Sequence, residues 1–134
     1  MKMLLMAFAL LSCSVLALAD DDGNAFLRRC IPAVAMMDGS HVTDSELNDA
    51  NFCMGYVRGA LDPIAFWEST DKTKNVKGPF VRACLPEAGV QTGQGIRIVV
   101  KYLKEHPEFL HNERLFLVSQ ALMDAFPCKQ SLKK

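Results

Sequence analysis

Thr43-Asp44-Ser45-Glu46-Leu47-Asn48-Asp49-Ala50-Asn51-Phe52-Cys53-Met54-Gly55-Tyr56-Val57-Arg58-Gly59-Ala60-Leu61-Asp62 is the stretch on which the fold turns. Its first four residues form a capping box: Thr43 can accept from the amide of Glu46 while the Glu46 carboxylate reaches back to Thr43. Behind the box, Leu47, Ala50, Cys53, Met54, Val57, Ala60 and Leu61 recur at three- and four-residue steps, the stripe of an amphipathic helix. That helix is expected to run to about Asp62, where Pro63 breaks it or begins a new turn. Gly55 and Gly59 lie one turn apart inside it. An interior helical glycine costs up to about 1 kcal/mol, so the pair predicts close approach of a neighbouring helix backbone rather than a ligand. Arg58 and Asp62, four residues apart, can pair along the same helix, or Asp62 can cap the turn beginning at Pro63.

Working outward, Asn24 is the expected cap of a first helix reaching about Met37, with Phe26, Leu27, Cys30, Ala33, Val34 and Met37 on one face. Pro32 kinks that helix or marks its true first turn. Asp38-Gly39-Ser40 ends it. On the other side, Ser69 to Pro79 is polar, with Lys72, Lys74, Asn75, Lys77 and Gly78-Pro79, and supports no regular element. A brief helical stretch is expected from Phe80 to Cys84. Thr92 then caps a helix carrying Ile96, Val99, Val100 and Leu103, which His106-Pro107 ends. Tyr102 belongs at its core rim, and Lys101 and Glu105 form a surface pair. Leu115, Val118, Leu122 and Phe126 trace a last helix that Pro127 stops. Nothing alternates with period two for long. The fold class is therefore all-α: one small disulfide-linked bundle of about four to five helices.

The chain has 134 residues with 15 basic and 15 acidic side chains, room for one domain. Residues 1–19 read as a secretory signal: Lys2, an apolar run from Met3 to Leu18, and Ala17-Leu18-Ala19 as the small-x-small site, with cleavage after Ala19. The run is too short for a membrane-spanning helix. A competing lipobox, Leu10-Leu11-Ser12-Cys13, would anchor the chain through Cys13 but would leave an apolar tether. Once Lys2 is removed, 14 basic groups face 15 acidic ones. That balance lacks the basic footprint expected for nucleic acid or an anionic membrane.

Cys30, Cys53, Cys84 and Cys128 remain in residues 20–134. Their number and an exported setting favour two disulfides, and no pair has zinc-knuckle spacing. Three pairings are open. Cys53 with Cys84 and Cys30 with Cys128 is preferred, because the second bond would close nearly the whole chain, each bond contributing roughly 4–5 kcal/mol on the chain-entropy model.

Catalytic patterns are missing. There is no Gly-x-Ser-x-Gly elbow, no phosphate loop and no His-Glu-x-x-His, while His106 and His111 are separated by a proline and His41 adjoins the capping box. No catalytic residue, cofactor or metal site is predicted, and the chain is read as a non-enzyme. The candidate partner-binding residues are Trp67, Glu68, Asp71, Lys72 and Lys74, an aromatic anchor ringed by charges. The competing role for Trp67 is to plug the core.

Cys53-Met54-Gly55-Tyr56-Val57-Arg58-Gly59 with Asp62, then Cys84-Leu85-Pro86, Tyr102-Leu103-Lys104-Glu105-His106-Pro107-Glu108, Ala121-Leu122 and Ala125-Phe126-Pro127-Cys128, follow one another in an order that resembles the Rap/Tai family of immunity proteins. These protect bacteria from peptidoglycan amidases delivered by type VI secretion. The resemblance implies that residues 20–134 form a periplasmic, mainly helical, often dimeric domain that occludes the cleft of a cognate amidase. It carries no catalytic role onto any residue. Two other functions fit the composition: a periplasmic acid-stress chaperone, and a small hydrolase with an unfamiliar site.

Overall fold

Asp22 opens the first helix. Its Oδ1 accepts from the Ala25 amide at 2.8 Å in the computed structural model, which describes residues 21–71 and 83–128. The expected signal at 1–19, Cys13, the polar stretch from Lys72 to Pro79 and the first residues of the Phe80 segment lie outside the described residues. Helix α1 spans Gly23–Met37, so the cap is Asp22 and Asn24 sits inside the first turn. Asn24 instead donates through Nδ2 to the carbonyl of Leu110 at 3.2 Å. At the far end, Gly39 adopts φ 82° and the amides of Gly39 and Ser40 reach back to Met36 and Ala35, a Schellman stop that favours glycine.

Helix α2 spans Asp44–Asp71 and begins on the capping box. Glu46 Oε2 accepts from the Thr43 amide and hydroxyl, both at 2.8 Å, and the Glu46 amide donates to Thr43 Oγ1 at 3.3 Å. The helix does not stop near Asp62 but continues through Pro63 to Asp71, taking in Ser69 and Thr70. Proline deprives the carbonyl four residues earlier of its partner and crowds it. Here that carbonyl belongs to Gly59, an exposed residue on the solvent side of α2, where water can serve the freed oxygen. The same holds for Pro32 in α1, whose fourth preceding residue is the exposed Arg28. Arg58 Nε and Asp62 Oδ1 pair at 2.8 Å across the turn before Pro63.

Helix α3 spans Thr92–Glu105, with Gln91 rather than Thr92 at its cap and no side-chain cap bond. It ends at His106. A 3-10 turn, Pro107–Phe109, leads to α4, Arg114–Ala125, which Phe126 caps before Pro127. Ala83 and Cys84 are not helical: Ala83 makes an isolated bridge to Pro127, and the Cys84 amide donates to Phe126 at 2.9 Å. Four α-helices and no strand make up the described residues, an all-α bundle.

Helix α3 packs on all three others, over a core whose fully buried members include Phe26, Val57, Ile96, Val99, Leu103, Leu117 and Leu122. No polar or charged residue is buried among those described. Close backbone approach occurs at α3, not where Gly55 and Gly59 predict it. A Cβ on Gly95 would stand 2.9 Å from Leu61 Cδ1 and 3.1 Å from Val57 Cγ1, whereas Gly55 and Gly59 have nothing within 4 Å.

All four cysteines are in disulfides, but the pairing is Cys30–Cys53 and Cys84–Cys128, with Cα atoms 5.1 and 4.9 Å apart. The preference for Cys53–Cys84 and Cys30–Cys128 is therefore corrected. Loop length measures what a bond contributes once formed; which sulfurs meet is set by geometry. Helices α1 and α2 are chain neighbours that fold back on each other and bring Cys30 to Cys53, while the bridge at Ala83 and Pro127 aligns Cys84 with Cys128. Spans of 23 and 44 residues give roughly 3–4 kcal/mol each on the chain-entropy model.

The start of α1 is tied to the start of α4. The amide of Gly23 donates to Asn112 and that of Arg114 to Asp21, both at 3.0 Å, and Arg114 Nε stands 2.8 Å from Asp21 Oδ1. A Cβ on Gly23 would overlap Leu117 Cδ1 and approach the Leu110 carbonyl oxygen to 3.0 Å. Gly23→Ala should therefore lower unfolding free energy in urea by about 1–3 kcal/mol. Gly59→Ala, where space is open, should leave it unchanged or raise it by up to about 1 kcal/mol.

Hydrogen bonds at two helix starts also set an acid limit. The Ala25 amide lowers the Asp22 pKa, and the amide and hydroxyl of Thr43 lower that of Glu46. Depressed carboxylates stabilise the fold above their ordinary values, 3.8 and 4.5, and that contribution is lost as pH falls through the folded values. Melting temperature should be level near neutrality and fall below the higher of these. Asp22→Asn, which still caps, should make that fall less steep.

Candidate partner-binding surface

Helix α2 carries the sequence-predicted anchor at its outer end. Trp67, Glu68 and Asp71 lie in its last two turns, so they are helical rather than part of a loop. Their side chains, together with Lys72 and Lys74, lie outside what the structure describes. The helix places the first three at the end remote from the Thr43 box. Arg58, Gly59, Asp62 and Pro63 continue an exposed strip toward them.

Nearer the start of α2, Phe52 and Tyr56 stack with ring centroids 6.1 Å apart, and Phe26 meets Tyr56 edge-on at 5.0 Å. Two guanidinium groups cover these rings. Arg29 Cζ lies 4.5 Å from the Phe52 centroid, and Arg114 Cζ lies 5.3 Å from Phe52 and 4.9 Å from Tyr56. Asp49 pairs with Arg29 at 3.7 Å and Asp21 with Arg114, the latter an ion contact without an aligned hydrogen bond from Nε. A planar cation stacks on an aromatic face where an ammonium cannot reproduce the overlap. The cluster joins α1, α2 and α4.

A second aromatic series runs off the end of α3. Tyr102, His106 and Phe109 stack at 4.2 and 6.0 Å, and His106 Nδ1 lies 2.9 Å from the Tyr102 carbonyl oxygen, closing the helix. Partial burial, then the carboxylates of Asp124 and Glu108, push the Tyr102 phenol up. His41 is exposed in the linker before α2, and His111 is exposed in the turn before α4. The three histidines do not converge, and the described residues contain no group of three His, Cys, Asp or Glu able to hold a metal ion. Lys101 and Glu105 stand 3.9 Å apart on the solvent side, the surface pair their spacing predicts.

Two residues assigned to the core by periodicity are on the surface. Leu47 is 40% exposed and Leu115 57%, and beside Leu115 Phe116 is 50% exposed, with Phe109 at 41%. In α4 the buried set is Leu117, Val118, Ala121 and Leu122. The segment Leu115-Phe116-Leu117-Val118 is apolar on every side, so periodicity alone does not choose the inward face. Scattered apolar exposure is ordinary, but three large side chains within eight residues are suited to contact. The arrangement supplies apolar, aromatic and paired ionic surface, which suits recognition of another protein.

A family profile described as Rap1a immunity proteins matches residues 22–128. No curated protein and no solved structure matches the chain.

The cluster at Phe52 and Tyr56 makes a stability prediction independent of any partner. Arg114→Ala should cost about 1–2 kcal/mol in chemical denaturation, from lost stacking on Phe52 and Tyr56. Arg114→Lys should recover less than half of it.

Proposed function

Because the chain belongs to the Rap1a immunity protein family, we propose that it protects its producer by binding a type VI secreted peptidoglycan amidase and occluding the active site. The observation that carries this reading is the family match, which runs from the Asp22 cap to Cys128 and so takes in the whole described fold. The two disulfides support action outside the cytoplasm, with residues 1–19 as the cleaved signal and the periplasm as the site of action. No described helix is long and apolar enough to cross a membrane.

Inhibition of this kind needs a stiff body and a complementary face, not a reaction. A standard interface buries roughly 1,600 Å² and reaches nanomolar affinity when its anchors are well enclosed. Trp67, Glu68, Asp71, Lys72 and Lys74 are the proposed contact residues, with Trp67 as the proposed anchor and the charged residues as the proposed specificity contacts. The family resemblance also brings the expectation of a homodimer, which sedimentation of residues 20–134 tests directly.

Expression of the full chain should rescue cells that carry the cognate amidase in the periplasm, while a version lacking residues 1–19 should not. Equal rescue by both would sink the export argument. In a binding assay with the purified amidase, Trp67→Ala combined with Lys72→Glu and Lys74→Glu should weaken affinity at least about tenfold, the loss of a hot spot, with the melting temperature unchanged. Unaltered affinity would place the interface elsewhere on the bundle.

A further inference from the structure

The two disulfides sit in different surroundings. Cys30 and Cys53 are both 0% exposed and belong to the core cluster, packed among residues such as Ala33, Ala50 and Val57. Cys84 is exposed and Cys128 half-buried, and neither belongs to that cluster. Thiol–disulfide exchange requires a thiolate to approach one sulfur in line with the bond, so access governs its rate.

We propose that Cys84–Cys128 is a reducible clip and Cys30–Cys53 a permanent one, so that the chain has a folded, half-reduced state. A small dithiol supplies the electrons. Its first thiolate attacks Cys84 Sγ, the Sγ–Sγ bond breaks, and Cys128 leaves as a thiolate. The second thiolate of the reagent then displaces Cys84 Sγ from the mixed disulfide. Two electrons pass to the cystine, the reagent closes to a cyclic disulfide, and its two protons are taken up by Cys84 and Cys128.

The fold explains why the product stays folded. Ala83 and Leu85, on either side of Cys84, are themselves buried in the core, and the Cys84 amide keeps its bond to Phe126. The clip joins the residues just after the 72–82 segment to the end of α4, whereas α1, α2 and the buried cystine between them do not depend on it. The inference concerns the chain alone and stands whatever partner it binds.

The oxidised protein, residues 20–134, is exposed without denaturant to graded dithiothreitol, quenched with N-ethylmaleimide and mapped by peptide mass spectrometry, with far-ultraviolet circular dichroism followed in parallel. Cys84 and Cys128 should be labelled together at least about tenfold faster than Cys30 and Cys53, a difference set by access. Helical signal should persist at that stage. Simultaneous labelling of all four, earlier labelling of Cys30 and Cys53, or loss of helix once only the outer bond has opened would each overturn the proposal. A variant with Cys84→Ser and Cys128→Ser should melt cooperatively at lower temperature, its remaining cystine still resistant to the same reagent. If that variant does not fold, the labelling order in the unaltered chain still decides.

Discussion

The buried bond between Cys30 and Cys53 fixes how α1 lies along α2, and most of the remaining geometry follows from that register. With both sulfurs held in the core, Phe26 is set one turn before Cys30 to meet Tyr56, and Arg29 comes over Phe52. The same register exposes the outer side of α2 at Gly55 and Gly59 and presents Val57 and Leu61 to Gly95. A slip of one residue would turn Cys53 away from α1 and bring Met54 or Phe52 inward, which neither the bond nor the volume of the core allows.

The fold class and helix order were legible because their signals are local. The Thr43 box works through atoms three residues apart, His106-Pro107 ends α3 by steric conflict, and the Lys101–Glu105 pair follows from helical spacing. Features that depend on what lies across the core were not legible. Pro63 reads as a breaker unless it is known that Gly59, one turn earlier, is exposed. Gly55 and Gly59 read as packing glycines unless it is known that α3, through Gly95, makes the close crossing. The disulfide pairing failed for the same reason: loop entropy is visible in a sequence, and helix adjacency is not.

Two segments far apart in sequence, the start of α1 and the turn before α4, are joined by backbone rather than by sulfur. Asp21 to Asn24 bind the turn between Leu110 and Arg114, through two amide bonds, the Asn24 side chain and the Arg114 ion pair. Gly23 is required where a side chain would strike Leu117. Arg114 also lies on Phe52 and Tyr56, so one guanidinium couples this clamp to the α1–α2 pair. An apolar interior with no polar or charged residue buried among those described, and a surface tied by separate ionic contacts, suit a rigid binding body.

The consecutive pairing of cysteines has a consequence for where binding specificity can reside. One bond lies wholly before residue 54 and the other wholly after residue 83, so no covalent crosslink spans the outer part of α2 and the 72–82 segment. That stretch contains Trp67 and the lysines proposed to contact the amidase, and it connects two parts that are each closed by their own cystine. Substitutions there leave both crosslinks and the crossing of Gly95 on Leu61 intact, provided the last core contacts of α2 at Leu61 and Ile64 are kept. The crosslinks and the tight crossing at Gly95 thus hold a core that is separate from the segment proposed to make the contact.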